Sequence, residues 1–226
     1  MDIQANLKKF IGDRRPDQRY TSFDYCFNYF QSFREQHRVA QIAAKENMQV
    51  SCLHLGFFLA SWGMFRGSTL ALGRSAKQFV PIIDLIARTP PSLWDVDAHN
   101  YSGQVCNQLV DQFWQIRKAL RDPARARRYP TPTLATKIML GVFGSVPAYD
   151  DFFRKGRKCE GGVAAFGTRS LRQLHQFYQD HADVIEAHRI STLDFQTGKP
   201  TNLTYTRAKV IDMIFFIEGG GTGSKV

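Results

Sequence analysis

An all-α fold is what this sequence predicts, as one domain with two lobes. Two observations carry that reading. Apolar residues recur at helical spacing along most of the chain, and the strict alternation of a half-buried strand is almost absent. The 226 residues are enough to bury a sizeable core. Residues 1–120 with 165–217 form one expected lobe, residues 121–164 a hairpin-like second, and 218–226 a flexible tail.

The elements follow in order. Ile3 to Ile11 reads as a short amphipathic helix that stops at Gly12 and Pro16. Thr21 or Ser22 is placed to cap the next helix. Phe23, Phe27, Phe30 and Phe33, with Tyr25 and Tyr29 beside them, make one aromatic face on it. Such a stripe is first a packing face; stacking on nucleic acid is the other reading. Arg38 to Lys45 continues as helix. Asn47 to Phe65 is the most apolar helix, hydrophobic on nearly all sides and so expected at the centre. Its longest apolar run, Leu53 to Phe65, contains His54 and is shorter than the roughly 18 residues of a membrane span. At its end stand Trp62, Gly63, Arg66 and Gly67. Trp62 offers an aromatic wall, and Gly67 permits close backbone approach. Arg66 must reach solvent, cap the helix or face a ligand, because an unpaired cation in a core is costly.

Ser75 to Ala87 is the next helix, with Pro81 in its first turn, and Thr89 to Asp95 a loop. Asn100 to Leu120 is long and amphipathic, turning Val105, Leu109, Phe113, Ile116 and Leu120 inward and ending before Asp122-Pro123. Arg121 to Pro130 is a connector carrying Arg121, Arg125, Arg127 and Arg128, either a solvated linker or a phosphate-contact surface. An apolar helix from Thr133 then leads through a Gly/Pro turn to Asp150 and Asp151, followed by Arg154, Lys155, Arg157 and Lys158. Ser170 to Ile190 is helical, Ser191 to Pro200 a polar loop, and Tyr205 to Ile217 a last helix capped by Asn202 or Thr204.

Composition narrows the partners. Thirty Lys and Arg against twenty Asp and Glu leave a formal charge of +10. That excess favours a polyanion, with nucleic acid ahead of an anionic membrane surface. Cys26, Cys52, Cys106 and Cys159 are scattered without a C-x-x-C pair, so zinc-ribbon and iron–sulfur spacings are absent and reduced thiols are expected. His175, His181 and His188 lack the i, i+4 pairing of a zinc helix. No metal site and no cofactor is expected, and no phosphate-binding loop or nucleophile-elbow motif occurs. The first ten residues lack the apolar stretch of a secretory signal. A cytoplasmic monomer, with no membrane contact, is the expectation.

The stretch around Asp150 resembles the core of the helix-hairpin-helix DNA glycosylases. Thr133 to Leu140 is similar to that family's apolar helix, and Phe143-Gly144 to its end. Asp150 falls where the family's catalytic aspartate stands, and Lys155 takes the place of a downstream arginine. The hairpin itself reads Tyr129-Pro130-Thr131-Pro132, without the family's glycines. Lys137 falls only loosely where lyase-type members place a nucleophilic lysine, so the resemblance implies a monofunctional enzyme. It implies a base flipped out of duplex DNA and cleavage of its N-glycosidic bond, with Asp150 and its neighbour Asp151 as the catalytic carboxylates. Trp62, Phe58, Tyr149 and Tyr25 would wall the base pocket, with Arg66 reading an edge. Arg125, Arg127, Arg128, Lys137, Arg154, Lys155, Arg157 and Lys158 would hold phosphates. Defence against modified phage DNA fits such an activity, though no residue signals it. Read without the resemblance, Asp150 is a helix cap. The chain is then a non-enzymatic helical nucleic-acid-binding protein, or a scaffold for an acidic protein.

Overall fold

The computed structural model describes residues 1–66, 73–121 and 129–222. Gly67, Asp122, Pro123, Arg125, Arg127 and Arg128 lie outside the described residues. Eleven α-helices run through the described residues: α1 (Ile3–Gly12), α2 (Ser22–Glu35), α3 (Lys45–Ser61), α4 (Val80–Ala87), the single turn α5 (Pro91–Trp94), α6 (Gly103–Ala119), α7 (Pro132–Phe143), α8 (Asp151–Cys159), α9 (Thr168–Asp180), α10 (Ala182–Ala187) and α11 (Arg207–Glu218). The fold is mostly helical, as the periodicity predicts. One two-stranded antiparallel hairpin, β1 (Ser191–Leu193) with β2 (Pro200–Thr204), interrupts it.

Two helices form the centre. Every residue of α7 from Leu134 to Phe143 is buried, as is every residue of α11 from Ala208 to Ile217. The apolar helix expected there, α3, is not enclosed. Its Leu55, Phe58 and Leu59 face the core, while Val50, Leu53 and Phe57 are exposed, Phe57 by 68%. A helix apolar on all sides needs neighbours on all sides; α2, α7 and the 3-10 turn Val39–Ala43 cover one side of α3.

Other boundaries move for local reasons. On α2 the stripe is a packing face: Phe23, Phe27 and Phe30 are buried, with Tyr29 and Phe33 packed against them. Neither expected cap acts as one. Thr21 Oγ1 donates to the Arg15 carbonyl and Ser22 Oγ to that of Arg19, holding the preceding turn instead. His37, at φ 54°, breaks the helix before Arg38. The helix expected over 170–190 divides at His181 into α9 and α10.

The loop at 191–200 is the β-hairpin, tied down by a buried aspartate. Asp24 accepts from the Leu193 amide at 2.8 Å, from Arg14 and from the Tyr205 hydroxyl. Burial pushes the Asp24 carboxyl above the usual aspartate range, with Arg14 and the hydrogen bonds opposing that shift. Asn202 and Thr204 lie in β2 or at its end; Thr206 caps α11, accepting from the Lys209 amide at 3.2 Å.

The start of the supposed tail is also built in. The amides of Gly219, Gly220 and Gly221 donate to Phe215, Ile217 and Phe216, and the Thr222 carbonyl accepts from Arg19 at 2.5 Å. Cys26, Cys52, Cys106 and Cys159 are free thiols, the first three buried. Among the described residues no helix is long and apolar enough to cross a membrane.

Candidate functional site

The turn between α7 and α8 is where local sequence builds the site. Gly144 closes α7 at φ 65°, a left-handed conformation that glycine adopts without strain, and its carbonyl accepts from Thr206 Oγ1 at 2.7 Å. Residues 145–149 are buried, so their backbone groups need partners. Ala148 N–H donates to Asp212 Oδ1 at 2.9 Å, and Tyr149 N–H to Thr136 Oγ1 at 2.9 Å. The Tyr149 carbonyl accepts from Thr133 Oγ1 at 2.9 Å. The turn is held on both sides, and it delivers Asp150 to the head of α8.

Asp150 has two jobs there. Its Oδ1 accepts from the Phe153 amide at 3.0 Å, which caps α8. Its Oδ2 accepts from Lys137 Nζ at 3.0 Å. Lys137 rises from the middle of α7 with its side chain 4% exposed, against 16% for Asp150. The ammonium also stands 4.7 Å from the centre of the Trp62 ring. A lysine this deep is tolerated because the carboxylate and the indole face replace lost water.

Around this pair lies a cleft of about 420 Å3. Trp62, Arg66, Lys137, Asp150, Asp151 and Arg154 line it, so six of the expected site residues converge. The end of α3 brings in two of them. Gly63 turns the chain at φ 75°, and the Arg66 guanidinium folds back over it, so that a Cβ at Gly63 would stand 2.6 Å from Arg66 Nε. Asp151 is fully exposed and pairs with Arg154 at 3.8 Å. Arg19, Met64, Thr133, Phe152 and Phe216 also stand in the wall. Sequence reasoning missed them: Arg19 sits in an ordinary polar turn, and Phe216 reads as core.

Trp62 is tightly held. Tyr20 stacks on it at 5.6 Å, Phe216 meets it edge-on at 5.6 Å, and the Arg19 guanidinium lies 5.2 Å from its centre. Burial pushes the Tyr20 hydroxyl up to about 12. Trp62 Nε1 and Arg19 Nε are buried donors without an acceptor in the protein.

The remaining expected residues lie elsewhere. Phe58 is in the core, packed against Gly141 and Phe23. Tyr149 is also core, its hydroxyl 2.8 Å from Ser170 Oγ; both side chains are aromatic ballast for the helices, not walls of the cleft. Tyr25 donates to the Pro16 carbonyl and meets Phe195, away from the cleft lining. Arg157 corrects an expected phosphate contact. It is buried, donates to Gln173 Oε1 at 3.1 Å and lies 4.8 Å over Phe215, while burial lowers its pKa from the usual value. Lys155 and Lys158 are exposed on α8. No group of three or more His, Cys, Asp and Glu among the described residues could hold a metal ion.

A larger hollow of about 470 Å3 includes Arg34 and Asp95. Their ion pair is solvated, with side chains 39% and 59% exposed, and such pairs contribute little. The buried Lys137–Asp150 pair marks the smaller cleft as the better candidate.

Compared with known proteins, the chain matches no protein family, no curated protein and no solved structure.

Proposed function

We propose that this chain is a DNA glycosylase that removes a damaged or modified base from DNA. The observation that carries the proposal is the convergence of Asp150, Lys137 and Trp62 in one cationic cleft. The net charge of +10 and the likeness of residues 133–150 to the helix-hairpin-helix glycosylases support it. In this reading the extruded nucleotide enters the cleft and its base packs against the Trp62 wall. Arg66, also in the lining, reads an edge of that base, and Arg154 meets a flanking phosphate.

The chemistry follows from the carboxylate. The bond from the sugar C1′ to the base nitrogen breaks, and its electron pair leaves with the base. Positive charge then grows on the sugar ring, and a fixed carboxylate close by stabilises it. Water adds its oxygen to C1′, one proton goes to the base, and an abasic site remains. Two hydrogen bonds, from Phe153 and Lys137, fix where the Asp150 oxygens point, so little reorganisation is needed as charge develops.

One observation favours a second reading, a non-enzymatic nucleic-acid-binding protein. Asp150 does cap α8, which is what a purely structural aspartate would do. Asp150→Asn separates the two. Asparagine caps a helix about as well as aspartate, but it leaves the buried Lys137 ammonium without its counter-charge, at a cost of up to about 3–5 kcal/mol, so circular dichroism first checks that the variant is folded. Duplexes carrying uracil, oxidised, alkylated or bulky modified cytosines are incubated with each protein, then cut with alkali at abasic sites. A glycosylase releases a base as wild type and loses about 100-fold or more of that rate as Asp150→Asn. Equal release by both proteins would remove Asp150 from the chemistry. No release on any substrate, with DNA binding unchanged by the substitution, would establish the second reading.

A further inference from the structure

We propose that an exposed aromatic–arginine cluster beside the cleft is a stacking platform for an unpaired base of single-stranded nucleic acid. This rests on the reading of the chain as a nucleic-acid protein, and not on base excision. Trp114 on α6 and Tyr129 ahead of α7 are 50% and 43% exposed. Their rings stand at 90°, with centroids 6.2 Å apart. Arg117, one turn along from Trp114, places its guanidinium 4.6 Å from the Trp114 ring centre and 5.4 Å from that of Tyr129. Arg121 adds a second cation 5.0 Å from Tyr129.

Two large aromatics left half in water are not what core packing produces. Elsewhere α6 packs its apolar face conventionally, with Cys106, Leu109, Phe113 and Ile116 buried. The cluster is also held in shape. Arg117 Nε donates to the Pro130 carbonyl at 2.8 Å, fastening Tyr129 to α6. With Arg117 over one face of the indole and the Phe113 edge beside it, the exposed half remains for a flat partner. Every nucleobase has a π-face, and the two arginines supply charge for the phosphates on either side.

The location gives the platform a purpose. Thr131 and Pro132 line the cleft, two and three residues after Tyr129 in the chain. From Tyr129 to Pro132 the backbone spans at most about 11 Å. A strand whose one nucleotide occupies the cleft therefore reaches the platform with a near neighbour. Single-stranded or locally unpaired nucleic acid is the partner this fits; a continuous duplex keeps its bases stacked on each other.

The test uses full-length protein and a fluorescein-labelled oligothymidylate of twelve nucleotides, against a duplex of the same length, by anisotropy over a salt series. Wild type should bind the single strand more tightly. Trp114→Ala should weaken single-strand binding about 5- to 150-fold. It should leave the salt slope and duplex binding unchanged, because no phosphate contact is removed. Trp114→Phe, which keeps a π-face, should recover part of the loss. A Trp114→Ala protein that is folded by circular dichroism and binds as wild type would overturn the platform. So would equal loss on single strand and duplex. Asp150→Asn keeps the Trp114-dependent binding whether or not base release occurs. The failure of the excision reading and that of the platform are thus separate results.

Discussion

Asp212→Ala should lose about 3–5 kcal/mol of stability, the usual result of removing one partner of a buried ion pair. Asp212 Oδ2 accepts from Lys209 Nζ at 2.9 Å, and the Lys209 side chain is 1% exposed. Once the carboxylate is gone, the ammonium is left with aromatic faces, Phe10 and Phe23 with centroids 4.9 Å away and Trp62 at 5.9 Å. A desolvated cation over a ring recovers about 2 kcal/mol, which does not replace an ion pair. The loss has a second part: Asp212 Oδ1 is the acceptor for the buried Ala148 amide, and a stranded donor costs about 1–3 kcal/mol. Against a typical domain stability of about 5–15 kcal/mol, this is a large fraction. Urea unfolding measures it as a lower midpoint at constant slope. The double replacement Lys209→Met with Asp212→Leu should recover much of the loss, because no unpaired charge stays inside. A single variant no less stable than the double would show that Lys209 finds water in spite of its burial.

Gly219→Ala should be comparably severe. A Cβ there would lie 1.9 Å from the Phe152 carbonyl oxygen and 2.7 Å from its carbon. The clash is with backbone, so no side chain can rotate away. Gly156→Ala meets the reciprocal obstacle, 2.2 Å from the Phe215 carbonyl oxygen. The two glycines let α8 and α11 touch backbone to backbone. Overpacking commonly costs about 1–3 kcal/mol, more where neighbours cannot move, and about 3 kcal/mol or more is expected here. Gly12→Ala is the control, since nothing lies within 4 Å of its Cβ position and alanine is the better helix residue. It should leave the protein as stable as wild type or slightly more so. If all three variants unfold at the same urea concentration, the helix contact is looser than the distances say.

How much of this was legible in the sequence depended on whether the determining force was local. Periodicity located α6, α7 and α11 within a few residues, because each buries a face the chain itself displays. It could not say which apolar helix lies at the centre. α3 and α11 are both apolar all round, and only their neighbours differ. The hairpin at 191–204 was invisible for a related reason. Its anchor, Asp24, is more than 160 residues away in sequence and looks like any first-turn aspartate of α2. In the cleft, the place of Asp150 and Arg154 at the head of α8, and the odd position of Trp62 and Arg66 at the end of α3, are legible locally. The partnership of Asp150 with Lys137 is not legible there, since thirteen residues and a turn separate them. Residue type alone suggests Phe58 and Tyr149 for a pocket, but burial, which decides between wall and filler, is a tertiary property. Arg157 failed likewise: its position in a basic run hid that it faces inward.

The cleft takes its wall from five separate parts of the chain: Arg19, the end of α3 with Trp62, the start of α7 with Thr131, the head of α8 with Asp150, and Phe216. No stretch of chain owns it. A molecule seated there would brace segments from both ends and the middle at once, and only the complete fold would hold it. Occupancy should therefore stabilise the whole protein, by about 2.7 kcal/mol at a concentration one hundred times the dissociation constant, and so raise its melting temperature. Nucleosides and abasic-site mimics can be ranked by heat alone, before any reaction has been seen.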